Sequence, residues 1–480
     1  MTCVCITVGY NMLFPTVTFA LFFLIVLPLN WLTMHNPRNW RIAMIVASYI
    51  FYAWWNPWFV LLLAGSTLFN QTVAVRIFRA QANRTRNTWL WIGVAGNLGF
   101  LAYFKYWNFF ASSAQNAADT LGVQLDPGFV STVLPIGLSF YTFMALSYVI
   151  DTWRRTFEPV SLSRFALFLS FFPHLIAGPI VRPGELIPQF DNPPDARRVD
   201  ATRGFALIMG GLFLKVVLAS ACAKLVDPVF GSPKLHSSLE TLVAVYAYAV
   251  QIFSDFAGYS TIAIGVALLL GFRFPDNFDS PYRSRSLQEF WRRWHITLSR
   301  WLRDYLYIPL GGNRSGRFET ERNIMLTMVI GGLWHGANWT FLFWGALHGG
   351  GLIIERHRRA RRAITGKAPP PAWLSWLVTF NFVCFAWIFF RAHSFGQAAS
   401  VIERLFTGWG QPSPDITLGV LAAVAVGMGI QFLPTNWWQS FQARVSQLPY
   451  AAQGVGLGFT LMFINALGPS GVAPFIYFQF

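Results

Sequence analysis

Charged residues are scarce in this sequence. Asp, Glu, Lys and Arg make up 12% of its 480 residues, whereas soluble domains usually carry about 25%. Hydrophobic residues make up 54%, with 47 Phe and 21 Trp. A soluble fold of this size could not cover so much apolar surface, so the composition predicts a protein that crosses a membrane several times. It argues against a disordered chain and a nucleic-acid-binding factor.

Cysteine pairs and several familiar catalytic motifs are also missing. The four cysteines offer no pairing framework, and Cys222 and Cys384 are interpreted as packing residues in apolar runs. The sequence contains no GxxxxGK[ST], GxSxG or HExxH motif and no cysteine–histidine zinc spacing. These absences argue against an ATP-driven pump and an elbow-type hydrolase, and no metal site is predicted.

Apolar runs recur along the chain, and each is near or above the ~20 residues that cross a ~30 Å hydrocarbon core. Backbone polar groups must be satisfied inside lipid, so these runs are expected to be helices. We predict an all-α bundle of about 11 spans with added re-entrant segments, forming a single transmembrane domain over residues 1–480. The runs are 13–34, 42–63, 88–104, 130–150, 204–225, 241–271, 372–390, 416–436 and 451–478.

The charges in the loops predict an orientation. With the N-terminus outside, three arginine-containing loops fall inside the cell, within 38–41, 76–86 and 154–164. The intervening stretches 54–57 and 105–128 then lie outside, and they carry few basic residues. This alternation follows the positive-inside rule, which also accounts for the net charge of +16. Both termini are expected on the outer side.

Three segments depart from simple crossings. Residues 165–181 are short for a span and contain two prolines and a glycine, which predicts a re-entrant hairpin. Residues 323–354 hold no Asp, Glu, Lys or Arg, and the flanking arginines place both of their ends inside, so an intramembrane hairpin with a break within 331–338 is predicted. The charged stretch 272–322 is expected to be an amphipathic region on the cytoplasmic face.

His335 is the first candidate for chemistry. It lies about 12 residues into its uncharged run, roughly 18 Å from the entry point if helical. An ionisable group at that depth is costly and by default indicates function, and a neutral imidazole can accept a proton. The alternative is a core histidine that hydrogen-bonds to a neighbouring helix. The flanking glycines favour function, because they permit close backbone approach or a break.

His295 is the second candidate. Apolar residues follow helical spacing from Phe290 to Tyr305, and His295 falls in the same stripe. This pattern predicts a single amphipathic helix with a buried histidine. The alternative is a surface helix whose arginines contact lipid phosphates, with His295 only completing the apolar face.

Polar residues elsewhere in the apolar runs are weaker candidates. Asp255 and Tyr259 share a helix face, which indicates either a lined cavity or an internal hydrogen-bond clamp. His174 flanks the predicted re-entrant piece and is interpreted as lining the same cavity, with simple helix packing as the alternative. His348 fits either a catalytic or a structural role. The remaining histidines are expected to be solvated in loops: His35, His236, His357 and His393.

Two motifs carry a resemblance to a known family. Residues 291–295 read WRRWH, and residues 334–338 read WHGAN. Together they resemble the membrane-bound O-acyltransferase family, and more narrowly its bacterial alginate O-acetyltransferase branch. The resemblance extends over nearly the whole chain, with further matches at 47–55, 134–141, 172–179, 251–282 and 477–480.

The resemblance implies an active site. His335 corresponds to the catalytic histidine and His295 to a second active-site histidine, within a central tunnel reached by a cytoplasmic funnel. It implies acetyl-CoA or an acyl-carrier thioester as donor, no permanently bound cofactor, and location in the bacterial inner membrane with periplasmic termini. The expected partners are periplasmic acetyltransferase or acceptor proteins of an exopolysaccharide-modifying complex, and membrane lipid. The side chains expected to line the tunnel are Trp334, Asn338, Trp294, Asp255, Tyr259 and His174.

The predicted reaction is acetyl transfer for O-acetylation of a secreted exopolysaccharide, alginate or cellulose. His335 is expected to accept the proton of an acceptor hydroxyl as the oxygen attacks the thioester carbonyl, while His295 orients the donor or stabilises the oxyanion. Two alternatives remain: acyl transfer to a wall polymer (as in D-alanylation), peptidoglycan or a lipid, and a transporter without chemistry. A transporter is disfavoured because no internal repeat is evident. The candidate contacts for donor phosphates, which could equally anchor lipid, are Arg292, Arg293, Arg300 and Arg303.

Overall fold

The structure is a computed structural model that describes residues 12–130, 133–192, 194–314 and 316–468. Within these ranges every regular element is a helix, which confirms the predicted all-α class. The chain divides into two compact units, Met1–Gly204 with Ala263–Pro275, and Phe205–Ile262 with Asp276–Phe480. The motif at 477–480 and the end of the run predicted over 451–478 lie outside the described residues.

The α-helices are numbered in chain order. The first ten are α1 Val17–Thr33, α2 Pro37–Ala53, α3 Pro57–Arg79, α4 Asn83–Leu101, α5 Trp107–Thr120, α6 Leu138–Arg154, α7 Leu162–Ser170, α8 Phe172–Leu175, α9 Pro183–Asp191 and α10 Ala201–Leu212. The others are α11 Ser220–Gly231, α12 Ser238–Leu269, α13 Leu287–Arg293, α14 Ile296–Leu302, α15 Arg317–His335, α16 Trp339–Thr365, α17 Ala372–Arg391, α18 Phe395–Thr407, α19 Leu418–Gly429, α20 Thr435–Ser446 and α21 Tyr450–Leu467. π-helical segments follow α4, α10 and α14 at Ala102–Tyr106, Phe213–Ala219 and Arg303–Tyr307.

The helices begin where the sequence supplies capping residues. Asn36 precedes α2, and its side chain accepts hydrogen bonds from the backbone N–H groups of Arg38 and Asn39. Asn56 caps α3 in the same way. Proline follows each asparagine at the first helical position, where its missing N–H is not needed. The Asn-Pro dipeptides therefore fix where these two apolar helices start.

Five helical segments in the described residues are long and apolar enough to cross a membrane by length and composition, and a bent pair, Leu418–Phe432 with Asn436–Ser446, would make six. The predicted membrane character is thus confirmed, while the count of about 11 spans remains a prediction. The five are Pro57–Arg79, Ala201–Gly231, Ser238–Leu269, Ala372–Arg391 and Tyr450–Leu467.

The segment around His174 in the first unit is irregular. After the four-residue α8 the chain is non-helical up to α9. His174 is 1% exposed, and its Nε2 lies 3.0 Å from the carbonyl oxygen of Phe168. Its ring is surrounded by Phe168, Phe171 and Phe274. His174 is thus held within an aromatic cluster of the first unit.

The predicted single helix over 290–305 is wrong. The helix breaks at His295, whose φ of 42° lies in the left-handed region. Trp294 before it is extended, so α13 and α14 are separate seven-residue helices. Asn277 stabilises the break: its carbonyl accepts from the N–H of Ile296, and its side-chain oxygen accepts from Thr297. Side-chain periodicity continues across the break, which is why the pattern concealed it.

Helices α15 and α16 form a hairpin whose arms pack very closely. A Cβ placed on Gly332 would lie 2.2 Å from the carbonyl oxygen of Phe341 on the opposite arm. Any larger residue at this position would push the arms apart. The glycine next to the WHG motif therefore permits the close approach that brings the two arms together at their tip.

Candidate active site

His335 is the last residue of α15 and lies at the tip of the hairpin. The chain then turns through 336–338, and Asn338 begins α16 by accepting a hydrogen bond from the N–H of Thr340. The amide of Asn338 also donates to the carbonyl of His393, and the Thr340 hydroxyl donates to that of Ala392. The tip is thus tied to the residues that follow α17. Asn338, predicted to line a tunnel, fixes the backbone of this turn, and its place in a tunnel stays a prediction.

The imidazole of His335 is 3% exposed and lies among aromatic rings. Its centroid is 5.0 Å from that of Trp334, 5.1 Å from Trp344 and 5.3 Å from Phe390. The ring of Trp344 stands at 90° to the imidazole. A neutral imidazole in such apolar surroundings could act as a base.

His295 is fully buried. Its ring lies 4.6 Å from Phe256, centroid to centroid, and 5.9 Å from Trp334. Burial lowers the pKa of His295, outside the long apolar helices, to about 3, so the ring is neutral at neutral pH. A left-handed backbone conformation is strained at any residue other than glycine, and such strained residues are found most often at functional sites.

Trp334 connects the two motifs. Its indole lies beside His335, its neighbour in the chain, and also beside His295. The two motif histidines are 40 positions apart in the sequence, but both contact the same tryptophan and therefore belong to one cluster.

A model of the membrane-bound O-acyltransferase family matches residues 83–396. The chain belongs to this family. It is 44% identical over 402 residues to the probable alginate O-acetylase AlgI of Pseudomonas aeruginosa, covering 82% of this chain and 75% of that protein. The Pseudomonas putida protein of the same name is 39% identical over 498 residues, covering 98% and 100%. The peptidoglycan O-acetyltransferase of Helicobacter pylori is 38% identical over 402 residues, covering 77% and 74%.

These findings confirm that the chain is an acyltransferase enzyme and a multi-pass membrane protein. The predicted resemblance to the alginate O-acetylase branch is also confirmed. The structure then shows where this acyltransferase places its other polar groups.

Asp255 is part of an ion pair that the sequence analysis missed. Its carboxylate pairs with the ammonium of Lys215, and the two side chains are 9% and 2% exposed. Lys215 lies in the π-helical segment after α10. Close packing positions the pair, since a Cβ on Gly258 would lie 2.7 Å from the carbonyl oxygen of Gly211. Asp255, for which a lined cavity and an internal hydrogen-bond clamp were the alternatives, is therefore held by a buried ion pair.

The remaining side chains that were predicted to line the tunnel lie in different surroundings. Tyr259 is fully buried, one turn beyond Asp255 on α12. Trp294 packs between Phe278 and Trp387, with centroids 5.1 and 5.0 Å away. Trp387 in turn stacks on Trp344 beside His335. Trp294 therefore joins the aromatic cluster of the active site, whereas His174 lies in the aromatic cluster of the first unit.

Two of the four predicted phosphate-binding arginines have carboxylate partners. Arg293 pairs with Asp279 at 2.8 Å and with Glu289 at 3.0 Å. Arg303 pairs with Asp304 at 2.6 Å. These ion pairs stabilise the α13–α14 region and compete with any donor phosphate for the same guanidinium groups.

A second group of arginines surrounds a cavity of about 600 Å³ next to α13 and α16. Arg285, Arg358 and Arg362 line it together with apolar residues such as Leu287 and Phe382. Neither Arg285 nor this cavity was predicted from the sequence. The feature of the sequence that indicates the cavity is the arginine cluster at the end of α16, which follows apolar turns on the same helix.

Two histidines expected in solvated loops are not free in solvent. His357 lies on α16, and its Nε2 is 2.5 Å from the carboxylate of Glu321. The side chain of His236 is 11% exposed, and its Nδ1 is 3.5 Å from Glu240 and 3.3 Å from Asp415. The three ligand atoms of the His236 cluster lie within 4.8 Å of one another, a spacing that could hold a metal ion. Both Glu240 oxygens already accept backbone N–H groups, however.

Proposed function

We propose that this acyltransferase moves acetyl groups from a cytoplasmic thioester, acetyl-CoA, to a hydroxyl acceptor, for O-acetylation of a secreted exopolysaccharide. Alginate is favoured over cellulose because several relatives are named as alginate O-acetylases. The single observation that carries the assignment is the shared contact of His335 and His295 with Trp334. The histidines of the WRRWH and WHGAN motifs thus share one aromatic cluster, and this shared cluster supports the proposal.

In the proposed mechanism His335 acts as a general base. The neutral imidazole accepts the hydroxyl proton as the oxygen attacks the thioester carbonyl, and a tetrahedral oxyanion forms. When the intermediate collapses, the carbon–sulfur bond breaks and the imidazolium returns the proton to the departing thiolate. An ester and a free thiol are produced, and His335 is regenerated.

His295 supports the same reaction from its position beside Trp334. A neutral imidazole carries one N–H donor, and a donor aimed at the developing oxyanion stabilises the transition state more than the ground state. The fixed backbone at 294–297 holds this ring in place. His295 is therefore assigned to orientation of the donor or stabilisation of the oxyanion.

The proposal includes a route and a location. A cytoplasmic funnel leads the donor into a central tunnel, and the acceptor reaches it from the periplasm through partner proteins of a polymer-modifying complex. The enzyme lies in the inner membrane with both termini periplasmic. Arginines of the cytoplasmic face contact the donor phosphates, either those of the WRRWH region or those around the cavity at α16.

The test is a substitution of the base. His335→Gln keeps a hydrogen-bonding side chain but removes the basic nitrogen, so acetyl transfer should fall about 10²- to 10⁴-fold. Thiol release from acetyl-CoA by the purified, full-length enzyme measures the rate, and acetate on the polymer measures the product. The matched control is His357→Gln, which should retain parental turnover. Parental activity in a folded His335→Gln enzyme would contradict the assignment.

A further inference from the structure

His348 is a third histidine in the same unit, and the mechanism above does not use it. It lies on α16, nine residues beyond Trp339, and is completely buried. Neither of its ring nitrogens has a hydrogen-bond partner among the residues that the structure describes. A buried polar group without a partner is costly, so a fully enclosed imidazole with two such nitrogens needs an explanation.

Aromatic rings surround His348, and we call this group the His348 ring cluster. Trp291 and Trp344 lie 5.1 and 4.9 Å from the imidazole, and Phe290 and Phe382 lie 6.1 and 5.7 Å away, all between centroids. The indole N–H groups of Trp291 and Trp344 are also buried and have no partner in the described part of the chain. Three side chains with unsatisfied polar atoms therefore meet in otherwise apolar surroundings.

The His348 ring cluster has contacts on both sides, with the arginine-lined cavity and with His335. Phe382 belongs both to the wall of the ~600 Å³ cavity and to the His348 ring cluster. Trp344 contacts both His348 and His335, at 4.9 and 5.1 Å. The order from the cavity inwards is thus arginines, Phe382, His348, Trp344 and His335.

The polar atoms define the ligand group that would fit. A neutral imidazole offers one donor and one acceptor, and each indole offers one donor. A secondary amide complements most of this set, because its carbonyl accepts two of the three hydrogen bonds on offer and its N–H donates one to the imidazole. The arginines at the outer end suit phosphate, which guanidinium groups bind well. A phosphate-bearing thioester with amides along its arm matches these features in order.

We propose that His348, with Trp291 and Trp344, binds an amide of the donor's pantetheine arm and thereby positions the thioester carbonyl at His335. This inference rests on the proposed function, since it takes the donor to be acetyl-CoA. His348 touches the arm of the substrate and not its reacting atoms, so its loss weakens donor binding more than the chemical step.

The experiment compares two donors on the purified, full-length enzyme. Acetyl-CoA carries the amides, and the acetyl thioester of 2-mercaptoethanol carries none. His348→Phe keeps an aromatic ring of similar size without polar atoms. It should raise the KM for acetyl-CoA about tenfold, the effect of one lost hydrogen bond, with kcat nearly unchanged. The KM for the amide-free donor should change less than about twofold. His348→Gln, whose amide both donates and accepts, should recover most of the loss.

Trp291→Phe provides a second variant that does not depend on how well the enzyme tolerates loss of His348. It removes the indole N–H together with one of the two fused rings, and it should raise the KM for acetyl-CoA about threefold, with a smaller change for the amide-free donor. The matched control is Trp40→Phe in the first unit, which loses an indole hydrogen bond to Asn30 and should show no dependence on the donor.

The outcomes separate the two proposals. Equal losses with both donors, or a fall in kcat alone, would overturn the amide site and leave His348 as a packing residue. Parental KM values for His348→Phe and Trp291→Phe would also overturn it. If the parental enzyme consumes the amide-free thioester but not acetyl-CoA, the donor assignment under the proposed function fails instead.

Discussion

The Lys215–Asp255 pair and the His335 cluster are buried to the same degree within one unit, but they are stabilised differently. The ion pair consists of two charges that neutralise each other directly. The histidines are enclosed by rings of tryptophan and phenylalanine. A charge inside a membrane protein needs an opposite charge, whereas a neutral imidazole can remain in an apolar cage and keep its basic nitrogen for a reaction. The first arrangement neutralises two buried charges, and the second leaves a basic nitrogen for the reaction that we propose.

Removing one member of the ion pair should have the largest effect on stability. Asp255→Asn leaves the Lys215 ammonium without its carboxylate, and we expect the free energy of unfolding to fall by about 3–5 kcal/mol. Denaturation of the purified protein in detergent measures this change. The double variant Lys215→Met with Asp255→Leu removes both charges and should be within about 1 kcal/mol of the parent. If the double variant were as unstable as Asp255→Asn, the pair would have a role beyond neutralisation.

Two substitutions at His295 distinguish the conformational requirement of its backbone from the contribution of its side chain to acetyl transfer. Asparagine tolerates the left-handed conformation, so His295→Asn should keep parental stability while acetyl transfer falls about tenfold or more. His295→Val places a β-branched residue at φ 42° and should also cost about 1–2 kcal/mol of stability. Thermal unfolding and thiol release measure the two effects. Equal stability of the two variants would show that the break at 295 imposes no backbone requirement.

The two arginine groups can be compared directly. Arg358→Gln combined with Arg362→Gln should raise the KM for acetyl-CoA about threefold per arginine, and the increase should shrink at high salt. Arg292→Gln combined with Arg300→Gln is the matched pair from the WRRWH region, and we expect a smaller change. If the Arg292 and Arg300 substitutions raised the KM more than the Arg358 and Arg362 substitutions, the phosphate contacts would be assigned to the WRRWH region and not to the cavity.

The smallest expected effect concerns pH. Hydrogen bonds from His357 and from Arg317 lower the pKa of Glu321. A carboxyl whose pKa is lowered by folding stabilises the protein above its unfolded pKa, and this contribution is lost as the pH falls through the folded value. Glu321→Gln should therefore unfold at a slightly lower temperature than the parent at pH 7. The difference should shrink below the unfolded pKa of about 4.3 and vanish once the pH is below the lowered folded pKa. Glu403→Gln, at an exposed carboxylate, is the control and should show no such convergence.

The sequence predicted the membrane class, the family and the grouping of the two motif histidines. Depth in an uncharged run was enough to single out His335, because an ionisable residue is rare in such a position. His348 was recognised as ambiguous, and only its neighbours distinguish it from a core histidine. Those neighbours come from α13 and α17, which periodicity within one helix cannot identify.

Other features could not be predicted because they depend on partners far along the chain. The break at His295 is stabilised by Asn277, and the apolar stripe continues across it. Lys215 lies within the predicted apolar run 204–225, where a lysine is unexpected. Its ion-pair partner on α12 explains why a charged side chain is tolerated there. His236 and His357 were assigned to solvent from the polarity of their surroundings, and carboxylates from other segments hold them instead.

Trp334 has a consequence for genetics. Both motif imidazoles contact the same indole, so truncating either histidine changes the packing of the ring that the other contacts. Losses from single replacements at 295 and 335 should therefore not sum in the doubly replaced enzyme, and a thermodynamic cycle should return a sizeable coupling term. A substitution at one of these histidines during evolution is therefore expected to require a compensating change in the packing of the other.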